Sequence, residues 1–279
     1  MRESQMKKII AAAVATAFVA PAFAADISVS GEVEQTFTNG DSANSTSSGS
    51  EFTITASDEL ANGLSVSAYV HVDGGAFDDF LSVSGPFGSI SIGSDGDTAL
   101  AAYEDKADIA SAGGGNAGAG TGAGGVPVLI EPNLGINGLT LGIGYSAGGT
   151  EGDEATDFAI AYEAMGLELT YAQSDLESSD VTTTNTSVAY SFGPLYLALD
   201  SVENKDGEEN NDAEGIGVSY DIGAATLFYV QDEFGTSDAE ETSFGAEYQV
   251  GTGLEVYVAN IDADGEANDE TVIGVEYKF

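Results

Sequence analysis

Five carboxylates, Asp95, Asp97, Glu104, Asp105 and Asp108, crowd one stretch of this 279-residue chain. Side by side along a narrow path, such groups gather cations and repel anions. The plainer reading is a solvated acidic loop, common in a chain of this composition. Other groups offer less chemistry. His71 is the single histidine and there is no cysteine, so a transition-metal site lacks its usual ligands. The same isolation leaves a Ser-His-Asp hydrolase without a marked nucleophile, and no catalytic residue is assigned. Asp262-Ala263-Asp264-Gly265 and Asp206-Gly207-Glu208 look faintly like calcium loops, but neither has the ligand spacing of an EF-hand. Turn residues in hairpin loops explain them more simply. No cofactor and no metal site are expected, although so many carboxylates leave room for loosely bound divalent cations.

The acidity belongs to the whole chain. Six basic residues stand against 47 carboxylates, for a formal net charge of −41. Arg2, Lys7 and Lys8 precede residue 25, which leaves Lys106, Lys205 and Lys278 as the cations beyond it. Phosphate contacts need Lys and Arg, so nucleic acid is not expected as a partner, and anionic substrates are disfavoured. Lys7 and Lys8 introduce an apolar run over residues 9–20, followed by Ala22-Phe23-Ala24, the small-x-small form of a cleavage site. Residues 1–24 therefore read as a secretory signal peptide cut between Ala24 and Ala25, and residues 25–279 as the mature domain. An exported chain without disulfides must be held by a large core or by a closed hydrogen-bond network. No later stretch resembles a transmembrane helix, so membrane insertion would be by strands.

The elements that would position these residues alternate. In residues 271–279, TVIGVEYKF, the side chains of Ile273, Val275, Tyr277 and Phe279 fall on one face and Gly274, Glu276 and Lys278 on the other. That is a strand of period two. The pattern recurs about sixteen times, from Ile27, Val29 and Val33 against Ser28, Ser30, Glu32 and Glu34 onward. Near residues 226–232 its facing stays open. Short turns at residues 61–63, 135–138, 165–166, 193–194 and 251–253 alternate with longer acidic loops, residues 38–50 among them. Short turns at one end, longer loops at the other and an even strand count describe a transmembrane, antiparallel, up-and-down β-barrel. A soluble sandwich would not keep one apolar face through so many hairpin-joined strands, and a calcium-binding solenoid would show nonapeptide repeats that residues 113–125 lack. In a barrel the polar face is the lumen, so Glu32, Glu34, Tyr69 and His71 become wall residues, with Glu168, Asp200, Glu247, Glu255 and Glu276. Residues 94–125 are a long break in the alternation, of the kind that is usually functional or disordered.

Several stretches go beyond pattern. FLSVSGPFGSISIGSDGDT at residues 80–98 resembles the fourth and fifth strands of Gram-negative general diffusion porins together with the start of their third loop. EPNLGINGLTLGIGYS at residues 131–146 resembles the segment that leaves that loop, and ADISVSGEVE and the terminal aromatic fit the two ends. The resemblance implies a sixteen-stranded outer-membrane barrel, usually a homotrimer, with a long third loop folded inward as the constriction. Asp95, Asp97, Glu104, Asp105 and Asp108 would line that constriction. Two departures stand out. Ser94 follows Gly93 where relatives commonly carry arginine, and Gly125-Val126-Pro127-Val128-Leu129-Ile130 replaces a stretch often bearing Asn, Arg and Tyr. The basic half of the usual transverse field is missing.

The function that follows is a passive, water-filled outer-membrane channel for small hydrophilic solutes and ions, selective for cations, with lipid and solutes as its partners. Two rivals remain open. One is a substrate-selective barrel with Tyr69, Tyr196 and Tyr257 as lumen contacts. The other is a structural or adhesive surface barrel.

Overall fold

The computed structural model describes residues 25–40, 44–73, 76–93, 99–103, 106–107, 109, 126–147, 154–177, 181–206, 209–234, 239–263 and 269–279. The strands are β1 (Asp26–Gly40), β2 (Asn44–Glu59), β3 (Ser65–Asp73), β4 (Ala76–Gly85), β5 (Gly88–Gly93), β6 (Val126–Pro132), β7 (Leu139–Ala147), β8 (Ala155–Ala164), β9 (Leu167–Leu176), β10 (Val181–Phe192), β11 (Leu195–Asp206), β12 (Glu209–Ile222), β13 (Ala225–Phe234), β14 (Ala239–Gly251), β15 (Leu254–Ala263) and β16 (Glu270–Lys278). One helical turn, α1 (Ala99–Tyr103), lies between β5 and β6. Each strand pairs with its sequence neighbours, and β16 returns to β1, so sixteen antiparallel strands close into a barrel. The closing register runs from Glu32 opposite Lys278 to Gly40 opposite Glu270. Closure leaves no sheet edge, and in hydrocarbon an edge would strand unpaired backbone groups.

The period-two pattern sorts the side chains. Phe52 and Ile54, Ile90 and Ile92, Phe158 and Ile160 point outward, and Thr53, Ser91 and Ala159 between them point inward. Ile27 is 70% exposed and Phe279 56% exposed in the isolated chain. A continuous apolar exterior is an aggregation liability in water and the natural surface of a barrel in lipid.

The structure departs from the sequence reading in two places and decides a third that it left open. Residues 38–50 are not a loop throughout: β1 runs to Gly40 and β2 begins at Asn44, with Asn39 opposite Asn44. Likewise β11 and β12 stay paired out to Asp206 opposite Glu209. Acidic and hydroxyl side chains above the apolar band lose the hydrophobic signal, but their backbones continue the ladder. The third concerns β13, whose facing is now fixed. Phe228 and Val230 point inward and are buried, and Leu227 and Tyr229 point outward. Phe228 packs with Tyr257, Ala259 and Val272 inside the barrel, so both faces of this strand are apolar and alternation could not choose between them.

At one end five of the strand pairs are joined by two-residue turns, at residues 86–87, 165–166, 193–194, 223–224 and 252–253. At Met165-Gly166 both residues have positive φ, 53° and 81°, as a type I′ hairpin requires. A side chain in this left-handed conformation costs about 1–2 kcal/mol for most residues and least for Asn and Asp. Met165→Asn is therefore expected to stabilise the barrel by about 1 kcal/mol, read as a higher urea midpoint in a reversible refolding titration into lipid. An unchanged or lower midpoint would show that the turn does not limit stability.

Candidate functional site

The inner surface is built for something to lie against it. Among the inward positions of β7 and β8 are Gly142, Gly144 and Ala159, and on β9 Ala172 follows; Ala159 and Ala172 are fully buried. α1 sits on this tract, with Ala99 and Leu100 fully buried and Tyr103 nearly so. A Cβ on Gly144 would lie 2.7 Å from the backbone nitrogen of Ala99, and one on Gly142 would lie 3.0 Å from the Tyr103 ring. Only glycine lets the helix approach so closely. Leu100 shows why the helix goes inward: its buried side chain gains about 2 kcal/mol over exposure.

Polar contacts then fix the helix. Tyr103 Oη donates to Glu131 Oε1 at 2.8 Å, and Ser89 Oγ donates to Glu131 Oε2 at 2.9 Å. One carboxylate thus ties α1 to β5 and β6. Burial first, and then Glu131, pushes the Tyr103 hydroxyl well above its ordinary range, so it stays a donor at neutral pH. Beyond the helix, Lys106 Nζ lies 3.3 Å from Glu168 Oε2. Tyr196 Oη donates to the Lys106 carbonyl at 3.2 Å, and the Ala107 amide donates to the buried carboxylate of Asp200.

Opposite this packed side, β15, β16, β1, β2 and β3 present carboxylates. Glu34 pairs in register with Glu276, Glu276 with Glu255, and Glu32 with Glu51. Lys278 Nζ answers them at 2.8 Å from Glu276 and 3.9 Å from Glu32. His71 Nε2 lies 3.5 Å from Glu51, and His71 Nδ1 lies 3.1 Å from Thr53 Oγ1. Among the described residues no group of His, Cys, Asp and Glu is arranged to hold a metal.

The residues expected at the lumen wall fall as follows. Glu32, Glu34, Tyr69 and His71 all point inward, with Tyr69 stacked on Phe80 at 4.8 Å. Tyr257 is 4% exposed and donates to Glu34, and Tyr196 is taken up by Lys106, so neither hydroxyl is free to meet a solute. Asp95, Asp97, Glu104, Asp105 and Asp108, expected at the constriction, lie outside the described residues, as do residues 1–24. Sequence reasoning missed the seat of α1. Its signal was present: in LGIGYS the positions between the apolar residues are glycines, which leave the lumen face open to a neighbour.

A family model described as Gram-negative porin matches residues 11–278. The chain belongs to the Gram-negative porin family. Mutant forms of the Rhodopseudomonas blastica porin share its fold, with TM-scores of 0.72 and 0.73 at 16% and 17% identity, over 91% of this chain and 100% of theirs. At that identity the likeness is one of fold. No curated protein matches in sequence. The porin is an outer-membrane channel, of a family whose members are channels rather than enzymes.

Proposed function

We propose that this porin is a passive, cation-selective pore for small hydrophilic solutes, narrowed by the segment between β5 and β6. The observation that carries the reading is the charge on the wall opposite α1. There Glu32, Glu34, Glu51, Glu255 and Glu276 face the lumen. Among the described residues the lumen-facing lysines are Lys106 and Lys278, each already paired with glutamate. Lys205 is on the outside, beside Glu203. Fixed charge of one sign along a narrow aqueous path concentrates counter-ions and excludes co-ions. The effect should weaken as salt shortens the Debye length. Asp95, Asp97, Glu104, Asp105 and Asp108 would add to this field from the inner segment, and divalent cations would be held loosely by it. Residues 1–24 would be removed as a signal peptide on export.

The test is the zero-current potential of the purified porin in planar bilayers across a potassium chloride gradient. A permeability ratio of potassium to chloride of roughly ten is expected at low salt. A ratio near one, or a preference for chloride, would overturn the selectivity, and no conductance at all would favour a structural surface barrel.

The distribution of outward tyrosines supports a homotrimer. Outward tyrosines such as Tyr145, Tyr171, Tyr190, Tyr229 and Tyr277 all stand on β7 to β16, whereas the outward faces of β1 to β6 carry residues such as Val29, Ile54, Val70, Leu81 and Ile92. Interfacial tyrosine marks a surface bathed by lipid and headgroups. The face without it would meet other copies of the chain.

A further inference from the structure

We propose that the outer wall of β9 to β13 carries a docking groove for the sugar headgroup of a neutral glycolipid in the outer leaflet. The groove is on the outside of the barrel and stands apart from how ions cross the lumen. The apolar outward positions of these strands stop along one line, at Tyr171 on β9, Val188 on β10, Leu199 on β11 and Ile216 on β12. Beyond it, away from the short turns, the described outward side chains are polar. A barrel of this kind points its longer loops out of the cell, so the line lies at the outer headgroups. Register brings short hydroxyls side by side there. Thr186 stands opposite Tyr171 and Ser201, and Thr184 opposite Gln173 and Glu203. Ser201 in turn stands opposite Glu214. Threonine and serine thus form a floor between longer side chains. The result is two hollows of about 380 and 340 Å³ that share Thr186 and Ser201, each of a size that takes a small molecule. Tyr–Gln pairs brace both walls: Tyr171 Oη donates to Gln173 Oε1 at 3.1 Å, and Tyr229 Oη to Gln231 Oε1 at 2.8 Å. Among the described residues the hydroxyls of Thr184, Thr186 and Ser201 have no hydrogen-bond partner, which leaves them for a ligand. Glu203, Glu214 and Glu233 line the groove against Lys205, which Glu203 already holds at 2.9 Å. That balance repels a phosphate headgroup. It suits sugar hydroxyls, which donate to carboxylates in charge-assisted hydrogen bonds. The half-exposed Tyr171 ring adds an apolar surface for the sugar's C–H groups. Below the floor, Val188, Leu199 and Ile216 lead from the groove into the apolar band, where the acyl chains would lie.

The chain has no tryptophan, so Val188→Trp sets a single fluorophore at the lower lip of the groove. The folded porin is placed in phosphatidylcholine vesicles in which a minor share of one lipid bears brominated, quenching chains. That lipid is digalactosyl diacylglycerol in one series, phosphatidylcholine in the second and phosphatidylglycerol in the third. Quenching should show the galactolipid enriched about fivefold over phosphatidylcholine at this site, and phosphatidylglycerol not enriched. Adding Thr184→Val, Thr186→Val and Ser201→Ala removes hydroxyls and little volume. It should bring the galactolipid down to parity while the barrel stays heat-modifiable. Thr186→Phe, which fills the floor, should do the same. Val258→Trp on β15 is the control. It replaces the third outward residue above its short turn, as Val188→Trp does, but there the Thr271 hydroxyl already donates to Asn260 Oδ1 at 3.3 Å, and parity is expected. Equal quenching by galactolipid and phosphatidylcholine at Val188→Trp would overturn the groove, as would an enrichment that neither the hydroxyl removal nor Thr186→Phe lowers. Strongest quenching by phosphatidylglycerol would overturn the neutral sugar headgroup. An equal galactolipid enrichment at Val258→Trp would overturn the groove in favour of a preference of the whole wall.

Discussion

Replacing Glu32, Glu34, Glu255 and Glu276 together by glutamine is expected to bring the potassium-to-chloride permeability ratio from roughly ten to near one. Glutamine keeps the shape and still accepts a hydrogen bond, so Tyr257 retains a partner at position 34. The change also releases Lys278 from Glu276 at 2.8 Å, adding an uncompensated cation to the same wall. Two effects thus act in one direction. A control set on the outer face, Glu203, Glu214, Glu233 and Glu240, changes the net charge of the protein equally. Those side chains are exposed on the outward parity, and water screens them from the lumen. The measurement is again the zero-current potential, taken at several salt concentrations. Equal shifts from the two sets would mean that net charge, not the lumen wall, governs selectivity. Neutralising Asp95, Asp97, Glu104, Asp105 and Asp108 should act like the wall set if the inner segment borders the passage.

Deletion of Phe279 is expected to lower the folded, heat-modifiable barrel in outer membranes about tenfold or more. The residue closes the barrel twice over. Its carbonyl accepts from the Gly31 amide at 3.0 Å and its amide donates to the Gly31 carbonyl at 2.9 Å. Each such bond contributes about 1 kcal/mol net, and more where a lost partner leaves its mate unpaired in lipid. The ring stacks on Tyr277 at 6.2 Å and lies over Gly31, where a Cβ would sit 3.0 Å from it. Phe279→Ala keeps both backbone bonds and loses only the ring, so it should fall between deletion and parent, and Phe279→Tyr should assemble normally. Assembly unaffected by the deletion would mean that the seam is held by the remaining register alone.

The strands, their number, the short turns and the face on which Glu32, Glu34 and Glu276 fall were legible in the sequence, because period two is a local property of each strand. A bilayer also makes that signal cleaner than a soluble core does, since outward residues within the apolar band must be apolar. The loops were overread. Asn39 and Asn44 continue a ladder that hydropathy cannot see, as backbone hydrogen bonds are indifferent to side-chain polarity. What lies against what inside the barrel was set only by tertiary structure. Closure with Glu32 opposite Lys278 decides that carboxylates of β15, β16 and β1 stack in neighbouring rows. The facing of Phe228 follows from packing with Tyr257 and Val272, strands away. Asp200 is far in sequence from Ala107, and only the closed sheet brings it there. Local alternation fixes which side a residue faces; its partner on that side depends on register around the ring, which no single strand encodes.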